Sequence, residues 1–423
     1  MLKKAISWFL CAAFITGFTL LGSSVPVKAA TIHYFAQGDW DTLQECIDDA
    51  AVLDYDTIVL PAETFDISTT LEVDKKLTIR GQGSEQTILR DGGTGCYVKI
   101  FSDDVTIDGI QFLGVSGGDQ AIKIYDYQDF VIKNCKFLNP GDCGVETWGS
   151  NTRGVIYNCN FINGLNGSGV RVYGDLSSGD DTPNWVNYPR FEVDYGSENW
   201  VFVENSRFEG WSHAIASNRG SKYVFRYNKC YNCDSQYIDA HGLEWTSSRG
   251  SRAYEIYGNE CYSTAYRWTG GIWIRGGDGL VYDNYIENRS HPIYICNTTE
   301  FDMSEITYPA VDQILEMYVW GNTTNNGVPV DVDIMSGHEH LFMHEDPPGS
   351  GNYWTDYKEY EKPNYTPYPY PHPLTGETPA PTATPTPIPT STPTPSATPT
   401  PTPILNNFSD DFNDGNADRK SVV

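Results

Sequence analysis

Two short segments carry the residue types that acid–base chemistry on a sugar requires. Tyr237-Ile-Asp-Ala-His241 and Gly271-Ile-Trp-Ile-Arg275 each place an apolar second residue ahead of polar or aromatic third and fifth residues. Alternate side chains of an extended chain share a face, so Asp239 and His241 point the same way. Trp273 and Arg275 join them if the two segments are neighbouring strands. An imidazole titrates near neutral pH and can take or return a proton. A carboxylate beside it orients it, and a guanidinium neutralises a substrate carboxylate or the charge that builds up on it. Glu244 and Arg249 follow closely in the chain. His241, Asp239, Arg275, Arg249 and Glu244 are the candidate catalytic group.

The same five-residue pattern occurs seven times. It also appears as Ala121–Tyr125, Gly144–Trp148, Gly169–Tyr173, Ala214–Asn218 and Pro292–Cys296, always with Ile or Val second. Aligned, the third residues are Lys123, Glu146, Arg171, Ala216, Asp239, Trp273 and Tyr294. The fifth are Tyr125, Trp148, Tyr173, Asn218, His241, Arg275 and Cys296. An ordinary solvated sheet face is served by Lys and Thr, and the large rings here exceed that need. Aromatic faces pack on the C–H faces of sugars. Tyr125, Glu146, Trp148, Arg171, Tyr173, Trp273 and Tyr294 are therefore expected to line a polysaccharide-binding groove around the candidate group. Long insertions after Tyr173 and His241 leave the same end of these strands and would wall the groove with Trp185, Tyr188, Arg190 and Trp245.

A second repeat must position this face. Eight copies align without a gap, from Val105-Thr-Ile-Asp-Gly-Ile-Gln-Phe112 to Met317-Tyr-Val-Trp-Gly-Asn-Thr-Thr324. Their third residue is always apolar. The fifth is Gly, Asn, Asn, Asn, Tyr, Gly, Asp and Gly, mostly types that tolerate a left-handed bend. The sixth ends in four asparagines, Asn228, Asn259, Asn284 and Asn322, and the eighth begins with four phenylalanines, Phe112, Phe137, Phe161 and Phe208. Starts are separated by 25, 24, 47, 22, 31, 25 and 38 residues. The reading is an all-β, right-handed single-stranded parallel β-helix with coils of roughly 24 residues stacked about 4.8 Å apart. Leu43 to Val52 reads as a short capping helix over its open end, and Tyr55 to Leu60 as its first strand. Cys135/Cys159 and Cys230/Cys261 fall on adjacent rungs, close enough for either a bridge or a pair of buried thiols.

Two reactions suit the group. In β-elimination a base removes the C5 proton of a uronic acid while a cation neutralises its carboxylate; His241 or an arginine is the base, and Arg275 or Arg249 the neutraliser. Asp239 and Glu244 could instead hold Ca²⁺, the one cofactor these residues suggest. Hydrolysis needs two carboxylates about 5–9 Å apart. Asp239 with Glu244 qualifies, whereas Glu146 lies three rungs away, about 14 Å. The arginines favour elimination.

The remainder of the chain sets the context. Lys3 and Lys4 precede an apolar run from Ala5 to Leu21, with Val27-Lys28-Ala29 as a cleavage site, so residues 1–30 read as a signal peptide and the protein as secreted. The β-helix is expected over 31–375 and a Pro/Thr-rich linker over 376–404, where Thr378 to Pro403 holds 10 of the 25 prolines. Phe408–Gly415 resembles the opening strand of a jelly-roll carbohydrate-binding or laminin-G-like domain, so 405–423 reads as the truncated start of a second domain. The net charge of −27 argues against binding to nucleic acid or an anionic membrane. The expected partner is a polysaccharide, and the expected state a monomer.

The repeat resembles that of the bacterial pectate-lyase-like superfamily of right-handed β-helix proteins, which includes pectate, alginate and chondroitin lyases and polygalacturonases. The resemblance covers residues 31 to about 375 and is one of architecture. Of the polygalacturonase motifs, Ala240-His241-Gly242 only grazes Gly-His-Gly, and the pectate-lyase Trp-Ile-Asp-His motif is absent. The resemblance implies a polysaccharide lyase, with a glycoside hydrolase as alternative. Phage tailspikes and adhesins share the fold and keep non-catalytic glycan binding as the third reading.

Overall fold

The computed structural model describes residues 29–36, 39–93, 95–114, 120–164, 167–175, 193–242, 250–296, 314–335 and 357–378, together with the backbone of 343–345 and 353–355. All of them fall in the first of two contact units, Met1–Pro379. No helix among them is long and apolar enough to cross a membrane.

Among the described residues the strands form three long sheets of twelve, ten and eleven strands. Each coil visits the sheets in turn. Gln120–Tyr125 lies in the ten-stranded sheet, Phe130–Lys133 in the twelve-stranded and Lys136–Leu138 in the eleven-stranded; Cys143–Trp148 then opens the next coil. Successive coils pair in parallel and in register, as in Val131↔Val155, Phe137↔Phe161 and Ile122↔Val145. This is a parallel β-helix.

The repeat columns explain the stack. All eight fifth residues adopt positive φ, from Asn205 at 51° to Gly109 at 68°, and each turns the chain from one sheet into the next. The sixth column faces inward as a hydrogen-bonded ladder. Asn259 donates through Nδ2 to Asn284 Oδ1 at 2.9 Å and to the Phe225 carbonyl at 2.8 Å. Its own Oδ1 accepts from the backbone and side-chain nitrogens of Asn228 at 3.0 and 3.2 Å. Asn284 repeats the arrangement with Asn322. In the eighth column Phe112, Phe137, Phe161 and Phe208 stack with centroids 4.5–5.1 Å apart. All nine described cysteines are buried thiols, so neither cysteine pair is bridged.

The N-terminal end is capped as expected, with shorter elements. The helix spans Leu43–Asp48, closed by a capping box between Thr42 and Glu45. Asp49 leaves helical geometry and turns back to pair with Ala51. The first predicted strand is Thr57–Val59, and a further strand, Ile32–Tyr34, pairs outside it.

The aromatic tail after Tyr357 runs along the twelve-stranded sheet. Arg226, wholly buried, donates to Glu204 at 2.6 Å and to the carbonyls of Tyr368 and Pro369 at 2.6 and 2.7 Å. Lys133 donates to the Thr375 carbonyl at 2.7 Å. The tail therefore leaves the ten-stranded sheet uncovered.

Candidate active site

The ten-stranded sheet carries the candidate residues in the register expected from the sequence. Lys123↔Glu146↔Arg171↔Ala216↔Asp239↔Trp273↔Tyr294 is one column, and Tyr125↔Trp148↔Tyr173↔Asn218 belongs to the other. The backbone continues that second column through His241 and Arg275, whose amides bond to the Ser217 and Ala240 carbonyls of the preceding rungs. Asp333 extends the first column beyond Tyr294, and Lys99 and Glu72 extend it before Lys123.

Asp239, Arg275 and His241 form one contact group. Arg275 Nε donates to Asp239 Oδ1 at 2.9 Å and Nη2 to Oδ2 at 2.5 Å. His241 Nε2 lies 3.0 Å from Asp239 Oδ2 and 3.1 Å from Arg275 Nη2. Asp239 is 1% exposed, while the His241 and Arg275 side chains keep 16% and 10% of their surface. Burial alone would push the Asp239 carboxyl up, but the charges of Arg275 and His241 hold it well below the usual carboxylate range. Asp239 is thus a fixed anion that orients its two neighbours. Arg275 also sits 5.9 Å over Trp273, whose indole lies across Gly270; a Cβ there would stand 1.9 Å from its Nε1.

A second group lies on earlier rungs. Glu146, 2% exposed, accepts from Trp148 Nε1 at 2.6 Å, pairs with Lys123 at 2.9 Å and accepts from Arg171 at 3.1 Å. Arg171 forks onto Asp142 at 2.7 and 2.9 Å and holds that carboxyl below its ordinary value. Trp148 meets Tyr173 edge-on at 4.9 Å, and Tyr125 stacks on Phe101 at 5.7 Å. At the other end, Trp273 and Tyr294 are 5.7 Å apart. The seven binding candidates therefore divide into two sets on either side of the Ala216 rung.

Arg249 and Glu244 lie outside the described residues, as do Trp185, Tyr188, Arg190 and Trp245 in the predicted walls. The connections 174–200, 241–252 and 296–316 each follow a strand of the ten-stranded sheet and lie mostly outside the described residues. Among the described residues no group of three or more His, Cys, Asp or Glu could hold a metal ion. Asp239 fits poorly as a Ca²⁺ ligand, because Arg275 and His241 already occupy both of its oxygens.

The columns missed residues at the strand starts and turns. His213 begins the Ala216 strand, where burial lowers its pKa to about 4 against the pull of Asp239. Among the described residues its Nδ1 has no side-chain hydrogen-bond partner. Asp142 precedes Cys143 at the mouth of its strand, and Arg219 follows Asn218. Reading the segments one residue further in each direction would have found His213 and Arg219, and two residues further Asp142.

No protein-family model matches the chain, and no curated protein matches it significantly in sequence. Among solved structures it is similar to ORF18 of Geobacillus virus E2, at 12% identity and TM-score 0.41, covering 70% of this chain and 54% of that one. It is also similar to a mannuronic-acid-specific polysaccharide family 6 lyase from human gut microbiota (14%, TM-score 0.43, 73% and 84%). A third is the catalytic domain of a GH87 α-1,3-glucanase (14%, TM-score 0.39, 74% and 66%). The chain spans about half the length of the first of these. At this distance the likeness is one of fold.

Proposed function

We propose that the protein is a secreted polysaccharide lyase that cleaves a uronate-containing glycan by β-elimination along the ten-stranded sheet. One observation carries this reading. Both carboxylates of the central columns, Glu146 and Asp239, are buried and have their oxygens occupied by cationic or N–H donors. Hydrolysis asks for one carboxyl that gives up a proton and one that attacks or activates water. Asp239, held ionised, has no proton to give, and both of its oxygens are taken up by Arg275 and His241 rather than presented to water or substrate. The partly exposed groups beside Asp239, His241 and Arg275, are nitrogen functions, which suit an acidic sugar.

In the proposed step His241, held by Asp239 and Arg275 at Nε2, is the base that takes the C5 proton. The C5–H electron pair forms the C4=C5 double bond as the bond from C4 to the glycosidic oxygen breaks. That oxygen leaves with a proton returned by the imidazolium or by water. Arg275 stabilises the charge that develops on the uronate carboxylate.

The test is to incubate the purified protein with a panel of uronate-containing and neutral polysaccharides, following ultraviolet absorbance and reducing ends together. A lyase raises both on an acidic glycan, and His241→Ala abolishes the rise. Reducing ends without absorbance would point to the hydrolase. Silence on both readouts, with the glycans retained, would point to a binding protein.

A further inference from the structure

Eleven arginines fall among the described residues, and ten of them have a hydrogen-bonding or ion-pairing use for the guanidinium. Nine pair with carboxylates, and Arg289 donates to the Cys233 and Ser235 carbonyls. Arg219 is the exception. Among the described residues its guanidinium makes no hydrogen bond or ion pair, and its contact is with the Trp148 ring, 4.9 Å from the centroid.

The position of Arg219 is built rather than incidental. Its backbone is left-handed at φ 60°, an uncommon conformation for a residue with a Cβ. The turn is held by the Arg219 amide donating to Asn218 Oδ1 at 2.8 Å and by Gly220 N donating to the Gly250 carbonyl at 2.7 Å. Gly174 packs beneath the Arg219 carbonyl so closely that a Cβ would stand 2.0 Å from it. Trp148 is fixed in turn by its bond to Glu146 and its contact with Tyr173. A cation over an aromatic face spends none of its N–H donors on that contact. Lys123 and Arg171, the other cations of this stretch, are neutralised by Glu146 and Asp142. Among the described arginines, Arg219 is the one that no described carboxylate neutralises.

We propose that Arg219, backed by Trp148, receives the carboxylate of one uronosyl residue of the bound chain. Trp148 and His241 are three rungs apart in the same column, about 14 Å. The subsite therefore grips the substrate away from the bond that breaks. It also answers an electrostatic difficulty, since a protein of net charge −27 repels a polyuronate unless fixed cations are held ready along the groove. This inference rests on the proposed substrate class.

The experiment measures binding by calorimetry, in the full-length His241→Ala protein, of oligosaccharides of polygalacturonate and polymannuronate and of methyl-esterified polygalacturonate. At least one acidic probe is expected to bind. Arg219→Gln should weaken it roughly tenfold, the scale of one charge-assisted hydrogen-bonded pair. Arg219→Lys should restore part of the loss, and the loss should shrink as salt is raised and vanish for the ester. Unchanged affinity in Arg219→Gln, an equal loss on the ester, or no binding of either acidic probe overturns the subsite. Thermal melting of each variant separates these outcomes from misfolding. A salt-sensitive Arg219 effect without unsaturated product from the His241-intact protein leaves the subsite standing and removes the lyase reading. Product formation with affinity indifferent to Arg219 does the reverse.

Discussion

Asp239 and Arg275 stand on neighbouring rungs and share two hydrogen bonds, with His241 held against the same carboxylate oxygen. Breaking a buried ion pair by removing one partner is destabilising, by about 3–5 kcal/mol. Asp239→Asn should therefore lower the urea midpoint, and it should cut product formation at least a hundredfold because His241 loses its orienting partner. Arg275→Lys keeps the charge but not the fork, so it should recover stability more than activity. The carboxyl is held below its ordinary value, so its contribution is present above about pH 4 and is lost only as the pH falls through the still lower folded value. Denaturation at pH 7 beside initial rates of the same variants checks both expectations. Equal loss of rate in a fully stable Asp239→Asn would assign the residue to catalysis alone.

His372 ties the C-terminal tail to the stack in a pH-dependent way. It is 2% exposed, and its Nδ1 accepts from the Leu374 amide at 3.2 Å. Burial, reinforced by the nearby Arg226 charge, lowers its pKa from 6.5 to about 4. The unfolded chain therefore binds a proton between those values that the folded chain does not. Stability is complete above pH 6.5 and is lost as the pH falls toward 4, by about 3 kcal/mol for this group. His372→Gln keeps an acceptor for Leu374 and removes the titration. Urea denaturation across this window should show a shallower pH slope in the variant, by about one proton. An unchanged slope would contradict a neutral, buried imidazole.

The nine thiols should be silent in the folded protein. Burial pushes Cys46 and Cys96 up to about 11, and Cys233 and Cys296 up to about 12. Nucleophilic thiolate is then scarce at pH 8, and access is closed as well. Titration with an aromatic disulfide reagent should find essentially no reactive thiol in the native state. Under denaturant without reductant it should find nine from Cys46 onward. A shortfall of two would indicate a bridge, with Cys135/Cys159 and Cys230/Cys261 the pairs in register.

Why the fold was legible while the site was only partly so follows from how each is encoded. A solenoid repeats one local solution, so the αL corner at Asn134, Asn158 and Asn205 and the inward Asn and Phe columns recur at fixed offsets. The outward columns were legible for the same reason, and register placed Asp239 beside Arg275. Contacts between a column and its flanking turns follow no such period. The bonds from Arg171 to Asp142, the reach of Arg219 back to Trp148 and the burial of His213 depend on side chains crossing rungs. Strand alternation alone predicted Glu146 as a groove contact, yet three donors draw it down to 2% exposure. The tail is a further case. Its prolines and tyrosines announce an extended segment, but only Arg226, paired with Glu204 and buried beneath the tail, says which sheet it covers.

The asparagine ladder offers a test of whether the stack is held by its polar interior as well as its apolar one. Asn259 uses both ends of its amide, accepting from Asn228 and donating to the Phe225 carbonyl and to Asn284. Leucine at this position matches the amide in size but leaves the Asn228 amide N–H, the Phe225 carbonyl and the Asn284 oxygen without that partner inside the core. Each buried polar group so stranded costs about 1–3 kcal/mol, so Asn259→Leu should destabilise by about 3 kcal/mol or more despite its added hydrophobicity. Asn259→Asp is the sharper variant, because it sets a carboxylate oxygen against the Phe225 carbonyl and buries a charge with no cation on the ladder. It should therefore be worse than leucine at pH 7 and recover in part at pH 4, where the carboxyl can protonate and donate again. Hydrogen exchange of the flanking strands Lys222–Arg226 and Asp278–Tyr282 reads the damage locally. Exchange that rises only at Asn259 would mean the rungs are independent. Exchange that rises on both neighbours would mean the ladder couples them.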